Sequence, residues 1–326
     1  MPLGGNGAGA TPRERGWRPA TPVDAALTLS PHRRGGGDPA WRRTPDGAIW
    51  RTCRTPEGSG TLRVVTAGAE VRAQAWGPGA QWLLETLPRL LGADDDVAGF
   101  AALLAELAGA ARRDPGAARA AAFVAGLAAR HPGLRIGSSL RVFEALVPAV
   151  LEQKVVGREA WRAWRWLMRK YGEPAPGPAP EGMAVAPPPE VWRAIPSWDW
   201  HRAGAEAVRA RTIVNAARHA GKLETTAGSG EADRLLRALP GVGVWTSAEV
   251  RQRAHGDPDA PSVGDFHLPS IVGWALTGRK TDDAGMLELL EPFRGHRHRV
   301  VRLIELSGVR PPARGPRMAA RDYRSF

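Results

Sequence analysis

The chain is short of cysteine, lysine and tyrosine. Cys53 is the single cysteine among 326 residues. One thiol cannot close an intramolecular disulfide, and it cannot supply a four-cysteine zinc or iron–sulfur site. Of 45 basic residues only four are lysines, Lys154, Lys170, Lys222 and Lys280, and the rest are arginines. A lysine nucleophile would have to come from one of those positions. No run of about 18 apolar residues occurs, which excludes a transmembrane helix of ordinary length. Residues 1–20 are rich in Gly, Pro and Arg and lack the apolar stretch of roughly 7–15 residues found in a secretory signal. The expectation is a soluble protein of the cytoplasm without a membrane partner, associated with the nucleoid if it binds DNA.

What is present is basic charge. The net charge is +12 and the sequence pI is about 11.1. Such a balance favours a polyanionic partner, most often nucleic acid. An Ala/Arg/Gly/Pro-rich composition can also reflect coding bias, so composition leaves the choice open. From Arg294 to Phe326 nine arginines face two acids, Glu305 and Asp322. This stretch is either a phosphate-tracking tail or a solvated one.

The patterning divides the chain. Residues 1–20 are expected to be disordered. Between residues 21 and 76 short alternating segments at 25–30, 48–55, 61–66 and 70–76 are separated by turn signals, which predicts a sheet of antiparallel hairpins. Helical periodicity follows at Trp82, Leu83, Leu87 and Leu90, at 97–113 and at 115–130. Residues 21–130 are therefore expected to form an α+β domain. Residues 131–310 are almost purely helical, with helices near 138–154, 158–171, 189–195, 200–220, 231–238, 245–254, 266–277, 282–291 and 296–307. A basic flexible tail is expected at 311–326. On the helix at 158–171, Trp161, Trp164, Leu167 and Met168 share one face and Arg158, Arg162, Arg165 and Arg169 another. That arrangement suits a core helix with a solvated arginine face, or a basic face near DNA.

Chemistry concentrates at two places. Leu239-Pro240-Gly241-Val242-Gly243 lies between two helical segments. Pro240 ends the first helix by removing a donor, and the glycines allow φ > 0 and close backbone approach. The next helix then starts with free N–H groups exposed, which is an anion site suited to a phosphate. A plain turn between helices gives a similar string. Twenty-two residues after Gly243 stands Asp265, within Ser262-Val263-Gly264-Asp265-Phe266-His267-Leu268. By itself this carboxylate fits a helix cap as well as a catalytic group.

Together the hairpin and the downstream Asp resemble the helix–hairpin–helix DNA glycosylase superfamily, and within it the 3-methyladenine DNA glycosylase II branch. The likeness rests on His131 to Gly172 with Val150-Leu151-Glu152-Gln153-Lys154-Val155, on Leu239 to Thr246, and on Pro261 to Leu268. It covers roughly residues 130–308 well and the N-terminal part more loosely. The resemblance implies a mainly α fold: an all-helical glycosylase core preceded by a TBP-like α+β domain with an antiparallel sheet. It implies a monofunctional N-glycosylase of base excision repair that flips alkylated purines out of double-stranded DNA and hydrolyses them, acting as a monomer.

In that family Asp265 would be the catalytic carboxylate. Gly241, Val242, Gly243, Thr246 and His267 would meet the DNA backbone. Trp245 would face the damaged base, and Gln153 and Lys154 would enter the gap it leaves. Lysine-dependent lyases of the superfamily carry a lysine where this chain has Trp245, so hydrolysis by water is expected. No cofactor is expected, apart from a monovalent cation that such hairpins can hold on main-chain carbonyls. No metal site is expected from His296 and His298, whose spacing suits no regular helix face.

The sequence departs from the branch in its pocket. Lys154 stands where an apolar wedge is usual, and Glu249 and Glu305 stand where aromatic residues are expected. The two acids could select a cationic base or lie on the surface. Trp198 and Trp200 could replace the missing aromatic walls or pack between helices. The alternative to an enzyme is a non-catalytic helix–hairpin–helix protein that binds damaged DNA.

Overall fold

The computed structural model describes residues 11–110 and 112–312. The N-terminal lobe is a five-stranded antiparallel sheet, formed by β1 (Arg13–Trp17), β2 (Trp41–Arg43), β3 (Ile49–Thr55), β4 (Gly58–Ala67) and β5 (Glu70–Trp76) in the order β1-β5-β4-β3-β2. Gly68, at φ +61°, opens the two-residue turn that closes β4 onto β5 with Ala67 opposite Glu70. A positive φ at that position matches the twist of the paired strands. Period-two alternation then directs Leu62, Val64, Val71, Ala73 and Ala75 into one core. Helix α2 (Ala80–Leu90) covers that face with Leu83, Leu84 and Leu87.

Two expectations for this lobe are corrected. The segment at 25–30 is not a strand. It forms α1 (Ala25–Leu29), because Asp24 accepts a hydrogen bond from the Leu27 amide at 2.9 Å and so caps a helix start. Nor is the whole of 1–20 without structure. β1 pairs with β5, and Arg15 donates to the Leu84 carbonyl at 2.7 Å. Its sequence, RERGW, has no apolar alternation, so the free edge of β5 organises it rather than burial. Residues 1–10 lie outside the described residues.

The helices of the first half continue as α3 (Val97–Gly109) and α4 (Pro115–Arg130), whose N-cap acids Asp96 and Asp114 accept from the Gly99 and Ala117 amides. They do not join the sheet's core. Phe100, Leu104, Val124 and Leu127 pack instead with residues of the chain's last helices. Those are α13 (Leu268–Thr277), α14 (Asp283–Leu290) and α15 (Arg297–Leu306). Residue 130 therefore does not separate two cores. A buried ion pair between Arg299 of α15 and Asp95, just before α3, ties the same two regions together.

Between these lie α5 (Val142–Leu151), α6 (Gly157–Tyr171), a small pair of strands β6 (Glu173–Pro174) and β7 (Ala184–Val185), α7 (Pro189–Ala194), α8 (Ser197–Ala203), α9 (Ala207–Arg218), α10 (Ala220–Glu224), α11 (Ser229–Arg237) and α12 (Val244–Ala254). The single helix expected at 200–220 is broken into three by Gly204, at φ +82°, and by a turn at His219. α5 is the axis of this core. Every residue of it except Glu144 is buried. Glu144 accepts from the Arg51 guanidinium at 2.6 Å and the Arg54 amide at 3.0 Å, which fastens β3 to the helical body. On α6, Trp164, Leu167 and Met168 are buried, whereas Arg158 and Arg169 are exposed and Arg162 and Arg165 half-buried. No helix of the described residues is long and apolar enough to cross a membrane. The basic tail expected at 311–326 lies, from residue 313, outside the described residues.

Candidate active site at the hairpin

The hairpin joins α11 to α12. Val242 is buried and anchors it in the core around α5. Gly241, at φ +87°, is exposed, and a Cβ there would collide with the Thr212 hydroxyl, so the position requires glycine. Gly243 is the N-cap of α12 and has no side chain with which to satisfy the first amides of that helix. Those N–H groups point out of the helix start without intrahelical acceptors. The carbonyls of Leu239 and Gly241 accept from the Val242 amide and from Gln153. Each oxygen has a second lone pair, so the donor chemistry for a monovalent cation is present at the turn.

Asp265 sits directly behind this turn. Its Oδ1 accepts from the His267 amide at 2.8 Å and the Leu268 amide at 2.9 Å, at the start of α13. Its Oδ2 accepts from the Trp245 indole N–H at 3.3 Å. The cap reading and the catalytic reading of Asp265 are thus compatible, because one oxygen caps α13 and the other turns toward the hairpin. Trp245 and Asp265 are both half-buried. Next to them Phe266 is 83 % exposed and Val244 is 47 % exposed. The Phe266 ring meets the exposed His267 ring edge-on, with centroids 4.8 Å apart.

The turn after α5 completes the surface. Gln153 donates from Nε2 to the Gly241 carbonyl at 2.9 Å and to the Thr246 hydroxyl at 2.8 Å. Its amide nitrogen bonds the hairpin, and the expectation that it enters the DNA alongside Lys154 is not tested by these bonds. Thr246 is buried, and its hydroxyl accepts the Gln153 bond. Lys154 is exposed and holds φ +54°, a left-handed conformation unusual for a residue with a Cβ.

The two acids placed in the pocket by the sequence are both neutralised. Glu249 accepts from the Ser262 hydroxyl at 2.6 Å and from Arg253 at 2.8 Å. Burial acts to raise its pKa, but Arg253, the Ser262 hydroxyl and Arg34 outweigh it and hold the carboxyl below its ordinary value. Glu305 pairs with Arg302 at 2.7 Å. Neither is a free anion awaiting a cationic base. Trp198 is 64 % exposed on α8 and shares no hydrogen bond or ring contact with Asp265, Trp245 or Glu249 among the described residues. Trp200 is buried and stacks on Trp192 at 5.9 Å, so it is a core residue.

Sequence reasoning did not single out Phe266. Its only signal was an aromatic residue between the acid and a histidine. Arg34 was missed as well. It is buried and reaches Glu152, one residue before Gln153, at 3.1 Å.

Comparison with solved structures identifies the architecture. A 3-methyladenine DNA glycosylase from Archaeoglobus fulgidus superposes over 90 % of this chain and 98 % of its own, with a TM-score of 0.71 and 17 % identity. The chain has a DNA glycosylase fold. An 8-oxoguanine glycosylase/lyase from Clostridium acetobutylicum shares this glycosylase fold over 91 % of the chain and 98 % of its own, with a TM-score of 0.66 and 12 % identity. The same Clostridium enzyme bound to double-stranded DNA, with cytosine opposite 8-oxoguanine, matches at 0.63 and 13 % identity over 92 % of the chain and 98 % of its own. No family model and no curated protein matches the sequence. The sheet lobe and the helical core together are consistent with the glycosylase fold.

Proposed function

We propose that the protein is a monofunctional DNA N-glycosylase of base excision repair, acting as a monomer on alkylated purines of the 3-methyladenine type in duplex DNA. The observation that carries this reading is the placement of Asp265, fixed by two backbone amides and by the indole of Trp245, immediately behind a glycine hairpin with free helix-start amides.

A base inside a duplex is out of reach, so the nucleotide must leave the stack. The amides of Gly243, Val244 and Trp245 would hold a backbone phosphate beside it. The Lys154 side chain would fill the gap with its aliphatic stem and leave its ammonium group near a phosphate. As the N-glycosidic bond lengthens, positive charge grows on the sugar. A carboxylate locked in place stabilises that charge without reorganising, and it can orient the water that attacks the sugar carbon. Trp245 offers an aromatic face, which favours an electron-poor, cationic alkylated purine. Trp245 stands where a Schiff-base lysine would be needed, so water is the nucleophile and no strand cleavage follows.

The test is a base-release screen on duplexes carrying alkylated, deaminated and oxidised lesions. Release of 3-methyladenine or 7-methylguanine is expected. Asp265→Asn should abolish release while leaving DNA affinity nearly intact. DNA binding without release of any lesion, equal in both proteins, would establish the non-catalytic damage-binding alternative instead. A borohydride-trapped covalent adduct would refute the hydrolytic mechanism.

A further inference from the structure

Glu249, Gln252 and Arg253 share one face of α12, at the spacing that brings side chains of successive turns together. Gln252 and Glu249 act directly on the loop that carries Asp265, and Arg253 acts through Glu249. Gln252 donates to the Ala260 carbonyl at 2.7 Å and to the Ser262 hydroxyl at 2.9 Å. The Ser262 hydroxyl donates in turn to Glu249 at 2.6 Å. The second oxygen of Glu249 is held by Arg253, whose Nε donates in turn to the Pro31 carbonyl of the sheet lobe at 2.9 Å. The Ser262 carbonyl then accepts from the Asp265 amide at 3.2 Å, so two residues separate the clamp from the carboxylate. The loop is pinned from two further sides. Gly264 donates to Asp283 of α14 at 2.9 Å, and Asp259 holds Arg297 of α15 at 2.6 Å.

We propose that Glu249, through Ser262, is a positioning residue that sets the place of Asp265, and that it does not read the damaged base. This rests on the glycosylase reading above. The geometry explains why an acid occupies a site where an aromatic wall was expected. Both oxygens of Glu249 are consumed by donors, and the Ser262 hydroxyl has no other acceptor among the described residues. The Glu249 side chain is 14 % exposed, so leaving either partner unsatisfied is costly and the pair holds one geometry. A shift of about 1 Å in a catalytic group can cost on the order of a hundredfold in rate.

The experiment compares Glu249→Ala, Glu249→Gln, Ser262→Ala and the double alanine variant with the wild type. Single-turnover base release is measured on several lesions, together with DNA affinity, melting temperature and hydrogen exchange of the peptide spanning residues 260–268. Positioning predicts a loss of roughly ten- to a hundredfold in rate, by the same factor on every lesion, with DNA affinity within about twofold. The double variant should be no slower than the worse single one, because the two residues act as a unit. Glu249→Gln keeps one acceptor oxygen and should lose less than Glu249→Ala. Exchange at 260–268 should rise in the alanine variants while the rest of the protein stays protected.

Loss that differs from lesion to lesion in Glu249→Ala, with Ser262→Ala unaffected, would show base reading and overturn the proposal. Unchanged exchange at 260–268 would overturn it even for a protein that releases no base. A wild type inactive on every lesion, with the exchange result as expected, would refute the function and leave the clamp standing. A variant that fails to fold is identified by its melting curve, and Glu249→Gln then carries the comparison.

Discussion

Gln153 and Thr246 are joined by a 2.8 Å hydrogen bond, and the same Gln153 amide reaches the Gly241 carbonyl at 2.9 Å. These bonds clip the turn after α5 to both sides of the hairpin. The next residue, Lys154, is exposed and holds a left-handed backbone. Residues nearly ninety positions apart thereby form one surface.

Lys154 holds its left-handed backbone at φ +54° against the preference of any residue with a Cβ. Lys154→Gly should relieve that strain and raise stability by about 1 kcal/mol. If Lys154 is the wedge of the proposed glycosylase, the substitution should at the same time weaken DNA binding and slow base release. Denaturant titration and single-turnover kinetics on one preparation give both values. A variant that is less stable would show that the strain is not stored there.

Gly241→Ala tests the turn itself. The added Cβ meets the Thr212 hydroxyl at a backbone angle suited to glycine. A loss of about 2 kcal/mol is expected, read by thermal or urea unfolding, with DNA affinity reduced further than Gly243→Ala reduces it. The Gly243 position has open space and an extended backbone, so alanine fits there.

Phe266 is so exposed that its removal should change stability by less than about 0.5 kcal/mol. If the hairpin face receives DNA, the ring is placed to stack on a base or sugar. Phe266→Ala should then weaken binding by about 1 kcal/mol, or roughly fivefold in Kd. Fluorescence anisotropy with a lesion-bearing duplex measures this, and an unchanged Kd would place DNA elsewhere.

Acid should destabilise the protein through His298. Burial, followed by the charges of Arg302, Arg253 and Arg299, pushes its pKa well below the usual 6.5. The unfolded chain therefore binds this proton first. Stability is full above about pH 6.5 and falls as pH drops below it, by up to roughly 1.4 kcal/mol per pH unit for the one group. His298→Gln should flatten the slope of unfolding free energy between pH 6.5 and 5. An identical slope in the variant would assign the loss to other groups.

Much of this was legible along the chain. Pro240 and the two glycines mark the hairpin because only those residue types stop one helix and turn tightly into the next. Asp265 before Leu268 marks a helix start. The single cysteine excludes a four-cysteine metal or iron–sulfur site by composition. These are local properties, fixed by backbone sterics and residue identity, and tertiary context does not alter them.

The roles of Glu249, Gln153, Trp198 and β1 were decided only by the tertiary structure. The family resemblance left Glu249 between a pocket and the surface, and the fold pairs it with Arg253 and Ser262. The family resemblance put Gln153 in the DNA, and the fold shows that its amide also bonds a turn 88 residues away. It left Trp198 among pocket candidates, although α8 holds that ring in solvent. Arg13–Trp17 has no strand pattern of its own and becomes one because β5 offers an unpaired edge. In each case the deciding partner is remote in sequence. A side chain's hydrogen-bonding capacity is local, but the partner that takes it up is chosen by how the helices and the sheet pack.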